Sequence, residues 1–355
     1  MHAPNELILG IETSCDETAA AVVADGHRVL SNVVHSQIEL HARWRGVVPE
    51  VASRSHTERI VPIVAEALTR ANVTPNDLTA IAVTHRPGMV GCLLVGLAAA
   101  KALCWRHGLP LVGVDHVQAH VHTGFLADPA MPLPALALVA SGGHTALYLV
   151  TAPNVTERLG TTRDDAAGEA LDKGAALLGL PYPGGPSIQN TAKGGDPRAF
   201  DLPRTLLTPD SLDFSFSGLK TALLYTLRPQ GTTEMPPPPT GDRLRDLACS
   251  YQEAVVDVLI TKLARAAERH RVQSLCIGGG VAKNTRLRER LQQHRSLSAL
   301  HLVLPDLSLC ADNGAMIASL GSVLFRQGQR APLDLDAIAT PQSGGKASAR
   351  PRVRT

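Results

Sequence analysis

A pattern used twice constrains this chain more than any other feature. Leu7 to Ile11 is an apolar run, Glu12 to Thr18 is small and polar, and Ala19 to Val23 is apolar again. The same grammar returns at Leu136 to Ala140, Ser141 to Thr145 and Ala146 to Val150. Each copy reads as strand, tight polar turn, strand. A recurrence about 130 residues apart implies two lobes built on one plan. A third turn, Gly278-Gly279-Gly280, follows apolar Ser274 to Ile277 and precedes helical spacing through Asn284, Leu287 and Leu291. Apolar periodicity predicts helices over Ser55 to Ala71, Gly91 to Arg106, Asp165 to Leu178 and Leu244 to His270. Strands at Ala80 to Thr84 and Leu111 to Val114 alternate with them, which favours an α/β sheet with helices on its faces.

Composition removes several classes. With 355 residues the chain has room for two or three domains or one duplicated fold. Hydrophobic residues at 44% and charged residues at 19% exclude wholesale disorder. The longest apolar stretch, Val90 to Ala100, is stopped by Lys101, short of the roughly 18 residues a membrane-spanning helix needs. The amino end, with Glu6 and Glu12 flanking a short apolar run, lacks the pattern of a secretion signal, so a cytoplasmic protein with no membrane segment is expected. Cys15, Cys92, Cys104, Cys249, Cys276 and Cys310 form no C-x-x-C pair, against both a disulfide framework and a structural zinc site. The formal charge is 34 − 32 = +2, but Lys346, Arg350, Arg352 and Arg354 supply four positive charges in the last ten residues, leaving 30 − 32 = −2 elsewhere. That tail reads as a solvated, disordered end or as an arm that follows a phosphate backbone. Eleven Phe, Tyr and Trp residues are too few for a long base-stacking platform. Met235 to Pro239 reads as a stiff surface insertion.

The polar turns suit phosphate cradles, because glycines let the backbone approach an anion and successive N–H groups point inward. Gly278-Gly279-Gly280 followed by Asn284 at a helix start suits a nucleoside with its phosphate at a helix N-terminus. His116 and His120 lie four apart, so on a helix they share a face and either grip one metal or are two partly buried histidines. A zincin would place Glu after the first His, and Val117 stands there, which disfavours that peptide hydrolysis. Asp312 precedes a helical pattern, AMIASLG, either as a third ligand or as an N-cap. Two imidazoles and one carboxylate with open positions suit Fe(II) or another divalent ion. Acids cluster at Asp164, Asp165 and Glu169, where a helix dipole explains them; Asp172 lies deeper and is placed to accept hydrogen bonds from a ligand. Cys15 reads as structural, since nothing places a base beside it.

In order, ILGIETSCDET, RGVVPEVASRSH, DHVQAH, ASGGHT, TRDDAAGEALDKGAALLGLPYPGGP, FSFSGLKTA, GGGVAKN and LCADNGAMIA resemble the TsaD family, the tRNA N6-adenosine threonylcarbamoyltransferases, from about Leu7 to Gly321. Two departures stand out: Arg45 in place of a second glycine before VVPE, and His85-Arg86 in place of a small-Gly pair. The resemblance implies an actin-like ATPase fold of two lobes around a cleft: residues 1–115, residues 116–330 with a helical insertion, and a C-terminal segment 331–355. It implies His116, His120 and Asp312 as ligands of one Fe(2+). Val139, Ala140, Ser141, Gly142, Gly143, Asp172, Gly185 and Asn284 match positions that hold threonylcarbamoyl-AMP, and Asp16 and Glu17 match cleft acids with a catalytic part. The acceptor would be tRNA, and the partners a smaller TsaB-like paralogue and a TsaE-like P-loop ATPase. The competing expectations are a non-catalytic nucleotide-binding scaffold, a metallopeptidase, and a simple sugar kinase or ATPase.

Overall fold

The computed structural model describes residues 5–339 except 45, 206–207, 229–231, 233 and 235. Arg45, Met235 and the basic tail from Lys346 lie outside the described residues. The first apolar repeat forms β1 (Leu7–Glu12) and β2 (Glu17–Ala24), followed by β3 (Arg28–Ser36), β4 (Ala80–Arg86) and β5 (Leu111–Asp115). Their order is β3-β2-β1-β4-β5, with β1 antiparallel to β2 and parallel to β4. The second repeat forms β6 (Ala135–Ala140) and β7 (Thr145–Ala152), followed by β8 (Val155–Thr161), β9 (Ser274–Gly278) and β10 (His301–Val303). That sheet runs β10-β9-β6-β7-β8, with β6 antiparallel to β7 and parallel to β9. Taken from the other edge, the two orders are the same, so the chain folds as two α/β lobes of duplicated plan. β1 and β6 are buried along their whole length because helices cover both faces of each sheet.

Helices Pro49–Ala71 and Val90–His107 cover one face of the first sheet. The second of these runs past Lys101 and, by length and composition, is apolar enough to cross a bilayer. Here it is a layer of the first lobe, with Cys92, Leu93, Leu97, Ala100 and Cys104 buried. The predicted helices at Asp165 and Leu244 occupy Ala167–Leu177 and Gly241–His270, on the second sheet.

Between the sheets lie helices His116–Ala127 and Gly314–Arg326, packed on each other. The first buries Val121 and Phe125 against Ala135, Ala137 and Val139 of the second sheet, and Ala119 and Leu126 against the first. The second lies on the first sheet, although chain order places it in the segment 116–330; small residues at the contact explain why. A Cβ built on Gly10 of β1 would stand 2.2 Å from the Gly314 carbonyl oxygen, and one on Gly321 would stand 2.3 Å from Ala82 Cβ. The chain then returns along the first sheet, where Ala331 bridges Leu111 and Ile338 N–H donates to the His85 carbonyl at 2.9 Å. His85, of the unusual pair, thus faces this return, and Arg86 pairs with Asp115 at 3.2 Å.

Because the obstacle at Gly10 is backbone, it has no side chain to move aside. Gly10→Val is expected to cost at least the roughly 1–3 kcal/mol typical of overpacking and to lower the melting temperature by several degrees. An unchanged melting curve would remove this contact as the reason for a glycine there.

Candidate metal centre and active-site cavity

The polar turn after β1, the turn after β6, the glycine turn after β9 and the starts of both central helices converge on one cavity of about 1380 Å³. His116 opens the helix that leaves β5, whose N-cap is Asp115, accepting from Gln118 N–H at 3.1 Å. His120 follows one turn later on the same face. Asp312 precedes the other central helix, and its cap is Asn313, whose Oδ1 accepts from Met316 N–H at 3.0 Å. Capping is therefore done by the neighbour, and the Asp312 carboxylate turns toward the histidines. His120 Nε2 lies 3.0 Å and His116 Nε2 3.7 Å from Asp312 Oδ1. One ligand atom from each of the three residues falls within 4.8 Å of the others, a group that could hold a metal ion. The rings stand edge to face, 4.7 Å between centroids at 87°.

The donor set fits a divalent ion chemically. Two neutral imidazoles and one carboxylate offer borderline nitrogen and hard oxygen donors, and Glu12 Oε2 receives His116 Nδ1 at 3.0 Å, as supporting carboxylates do behind metal-bound histidines. Burial works against charge on Asp312, but His116 and His120 overcome it and hold its carboxyl far below the usual range. Burial likewise opposes a charged His116, and Asp312 and Glu12 push it up to about 9. The pocket attracts positive charge at this point, which a dication supplies without protons.

The acids of the β1–β2 turn line the same cavity. Burial, then Asp312 and Asp16, push the Glu17 carboxyl well above its ordinary value, so it holds a proton readily. The Cys15 thiol is pushed up by burial and by Asp16, Asp312 and Glu17, which leaves it a poor nucleophile.

Ser141, Gly142 and Gly143 line the cavity, whereas Val139 and Ala140 are buried in β6 behind it. The turn is tied by Ser141 N–H to the His144 carbonyl at 2.7 Å and by Gly168 N–H to the Ser141 carbonyl at 3.1 Å. A Cβ on Gly142, Gly143 or Gly280 would meet nothing within 4 Å, so these glycines open onto the cavity, a cradle that side chains would fill. Asp172 also lines it; Oδ1 accepts from Gly184 N–H at 2.6 Å at the start of helix Gly184–Thr191, and burial raises its pKa. Gly185 is beside it. Asn284 caps helix Thr285–Gln293 by accepting from Leu287 N–H at 3.0 Å, and its amide donates to Gln252 Oε1 at 2.9 Å. The FSFSG segment is explained structurally: Asp164 accepts from Ser215, Phe216 and Ser217 at 2.6 to 3.2 Å.

The sequence profile of TsaD, tRNA N6-adenosine threonylcarbamoyltransferase, matches residues 28–319. An enzyme of that name from Anaeromyxobacter dehalogenans (strain 2CP-C) is 52% identical over 334 residues, which are 93% of this chain and 97% of its own. The chain belongs to the TsaD family. Another relative of the same name, from Geobacillus thermodenitrificans (strain NG80-2), is 53% identical over 333 residues, 93% of this chain and 95% of its own. Among solved structures, HypF of T. kodakarensis superposes with a TM-score of 0.59 at 15% identity over 92% of this chain and 48% of that one. Component A of Acidaminococcus fermentans (R)-2-hydroxyglutaryl-CoA dehydratase gives 0.53 at 14% over 90% and 97%. These two share the two-lobed actin-like fold of this TsaD chain, and at such identities they bear on fold alone.

Four residues at or behind the cavity were not among those expected from the sequence: Ser14 and His144 line it, Glu12 backs His116 and Gln252 backs Asn284. Burial and the charges of His116 and His120 pull His144 down to about 4, so its ring is neutral at the cavity wall. The available signal for Glu12 was an acid ending an otherwise apolar strand.

Proposed function

We propose that this chain transfers the threonylcarbamoyl group from threonylcarbamoyl-AMP to N6 of the adenosine 3′ of the anticodon in tRNAs that read codons beginning with A. The observation that carries the reading is the His116, His120 and Asp312 group opening onto the glycine-lined cavity in a chain of this family. In this reading the three residues hold one Fe(2+). The ion, when bound, supplies Lewis-acid polarisation of the donor and neutralises charge on the leaving AMP.

N6 of adenine is a weak nucleophile, so electrophilic help matters more than a protein nucleophile. N6 attacks the carbamoyl carbon, the new C–N bond forms, the C–O bond to the phosphate breaks, and AMP leaves with that electron pair. The Gly142 and Gly143 N–H groups stabilise negative charge on the donor, with Ser141 beside them. Asp172 accepts from the threonyl end, with Gly185 giving backbone room, and the helix start at Asn284 receives the adenosine. Val139 and Ala140 support the turn from beneath. Glu17 and Asp16 handle the proton released from N6.

The work requires partners in this reading: a TsaB-like paralogue and a TsaE-like P-loop ATPase, in the cytoplasm where tRNA is modified. Val90, Leu94 and Trp105 share one helix face by spacing and are 44%, 48% and 78% exposed, apolar surface suited to a protein partner. The test is reconstitution of purified protein, threonylcarbamoyl-AMP and unmodified tRNA, with and without the partners, followed by mass spectrometry of the nucleosides. The modified adenosine is expected with the partners present. Its absence even then would overturn the proposal.

A further inference from the structure

We infer that Glu12 is a positioning residue for the metal group: its carboxylate sets the His116 tautomer that turns the Nε2 lone pair toward His120 and Asp312. The inference rests on the reading of those three residues as ligands.

Glu12 ends β1 with no exposed surface. Its Oε1 accepts from Ser14 N–H at 2.5 Å, and its Oε2 accepts from the Thr84 hydroxyl at 2.6 Å and faces His116 Nδ1 at 3.0 Å. A carboxylate can only accept, so His116 Nδ1 must bring the proton to that contact. The Ser14 hydroxyl oxygen, 3.1 Å from the same nitrogen, can share it. In the neutral ring, the form that binds a metal, Nε2 is then left with its lone pair, 3.7 Å from Asp312 Oδ1. His120 has no such support: its Nδ1 is buried without a hydrogen-bond partner among the described residues. The two histidines therefore differ, with His116 set from behind by the protein and His120 held only at its ligand end and by ring packing.

Glu12→Gln separates this role from a purely structural one, because it keeps the shape and changes one acceptor to a donor. The amide nitrogen cannot take the Oε1 place, where the Ser14 N–H would meet it donor to donor. At the Oε2 place it faces Thr84, whose hydroxyl can turn to accept, and His116 Nδ1, which accepts only if the proton moves to Nε2. The variant should carry an N–H where wild type offers a lone pair.

Long-range proton–nitrogen spectra of imidazole-labelled apoprotein, taken at a pH above the value of about 9 to which, against its burial, Asp312 and Glu12 push His116, should show Nδ1–H alone at His116 in wild type and Nε2–H in Glu12→Gln. Cobalt(II) titrations followed by visible absorption should show affinity about 10- to 100-fold weaker in Glu12→Gln, in the range of other lost supporting contacts. Glu12→Asp, which keeps an acceptor-only carboxylate, should keep the Nδ1–H tautomer. A neutral wild-type His116 that carries its one proton on Nε2 overturns the inference whether or not any variant folds. So does a folded Glu12→Gln with the wild-type tautomer or undiminished cobalt affinity. Wild type that binds no cobalt would instead fail the reading of the ligands, and the tautomer is still read from the apoprotein.

Discussion

Replacing His120 by alanine is expected to remove bound metal and transfer activity together. His120 supplies one of three ligand atoms that come within 4.8 Å of one another. Losing it should reduce turnover by about a hundredfold or more, because both charge and geometry at the electrophile are disturbed. The measurement is metal content by mass spectrometry beside the rate of adenosine modification. His122, two residues on, is the control. Its Nδ1 lies 3.0 Å from the Pro153 carbonyl and its Nε2 3.1 Å from the Ser319 hydroxyl, so both nitrogens are engaged away from the group. His122→Gln should leave metal content intact. Full occupancy and normal turnover in His120→Ala would remove the histidine from the site.

Neighbouring glycines in the turn after β9 should respond in opposite ways. Gly280 has open space where a Cβ would go, so Gly280→Val should fold and melt as wild type while weakening donor binding by roughly 10- to 100-fold through its bulk in the cavity. Gly279 has φ +85° and a Cβ there would lie 2.3 Å from the Ala140 carbonyl oxygen, so Gly279→Val should lose stability instead. Thermal melts and calorimetric titration with AMP separate the two. Equal donor affinity in Gly280→Val and wild type would mean that the turn does not touch the ligand.

The duplicated plan was legible because apolar runs flanking short polar turns leave a signal that survives without tertiary context. The weaker strands were not. β3 and β8 are sheet edges with partly exposed residues, and β10 has three residues, so none carries a continuous apolar run. The histidine pair was legible from its spacing, and its alternatives stayed open because spacing says nothing about what faces the rings. Asp312 illustrates the same limit: Asp and Asn both cap helices well, and which of two adjacent residues does so depends on the chain before them. Glu12 was invisible for a plainer reason. It lies 104 residues before His116 in sequence, and only sheet pairing brings the ends of β1 and β5 near each other. Val139 and Ala140, which the resemblance matches to ligand-holding positions, are buried in β6 behind the turn.

The ligands sit on the starts of two helices that belong to distant parts of the chain and lie between the lobes. A swing of the lobes that moved one of these helices against the other would carry His120 and Asp312 with them. An ion bound there would act as a shackle on that swing: closing the cleft and completing the coordination would be one motion, and an opened cleft would release its grip on the ion. With an ion on those residues, product departure and metal retention would be mechanically opposed.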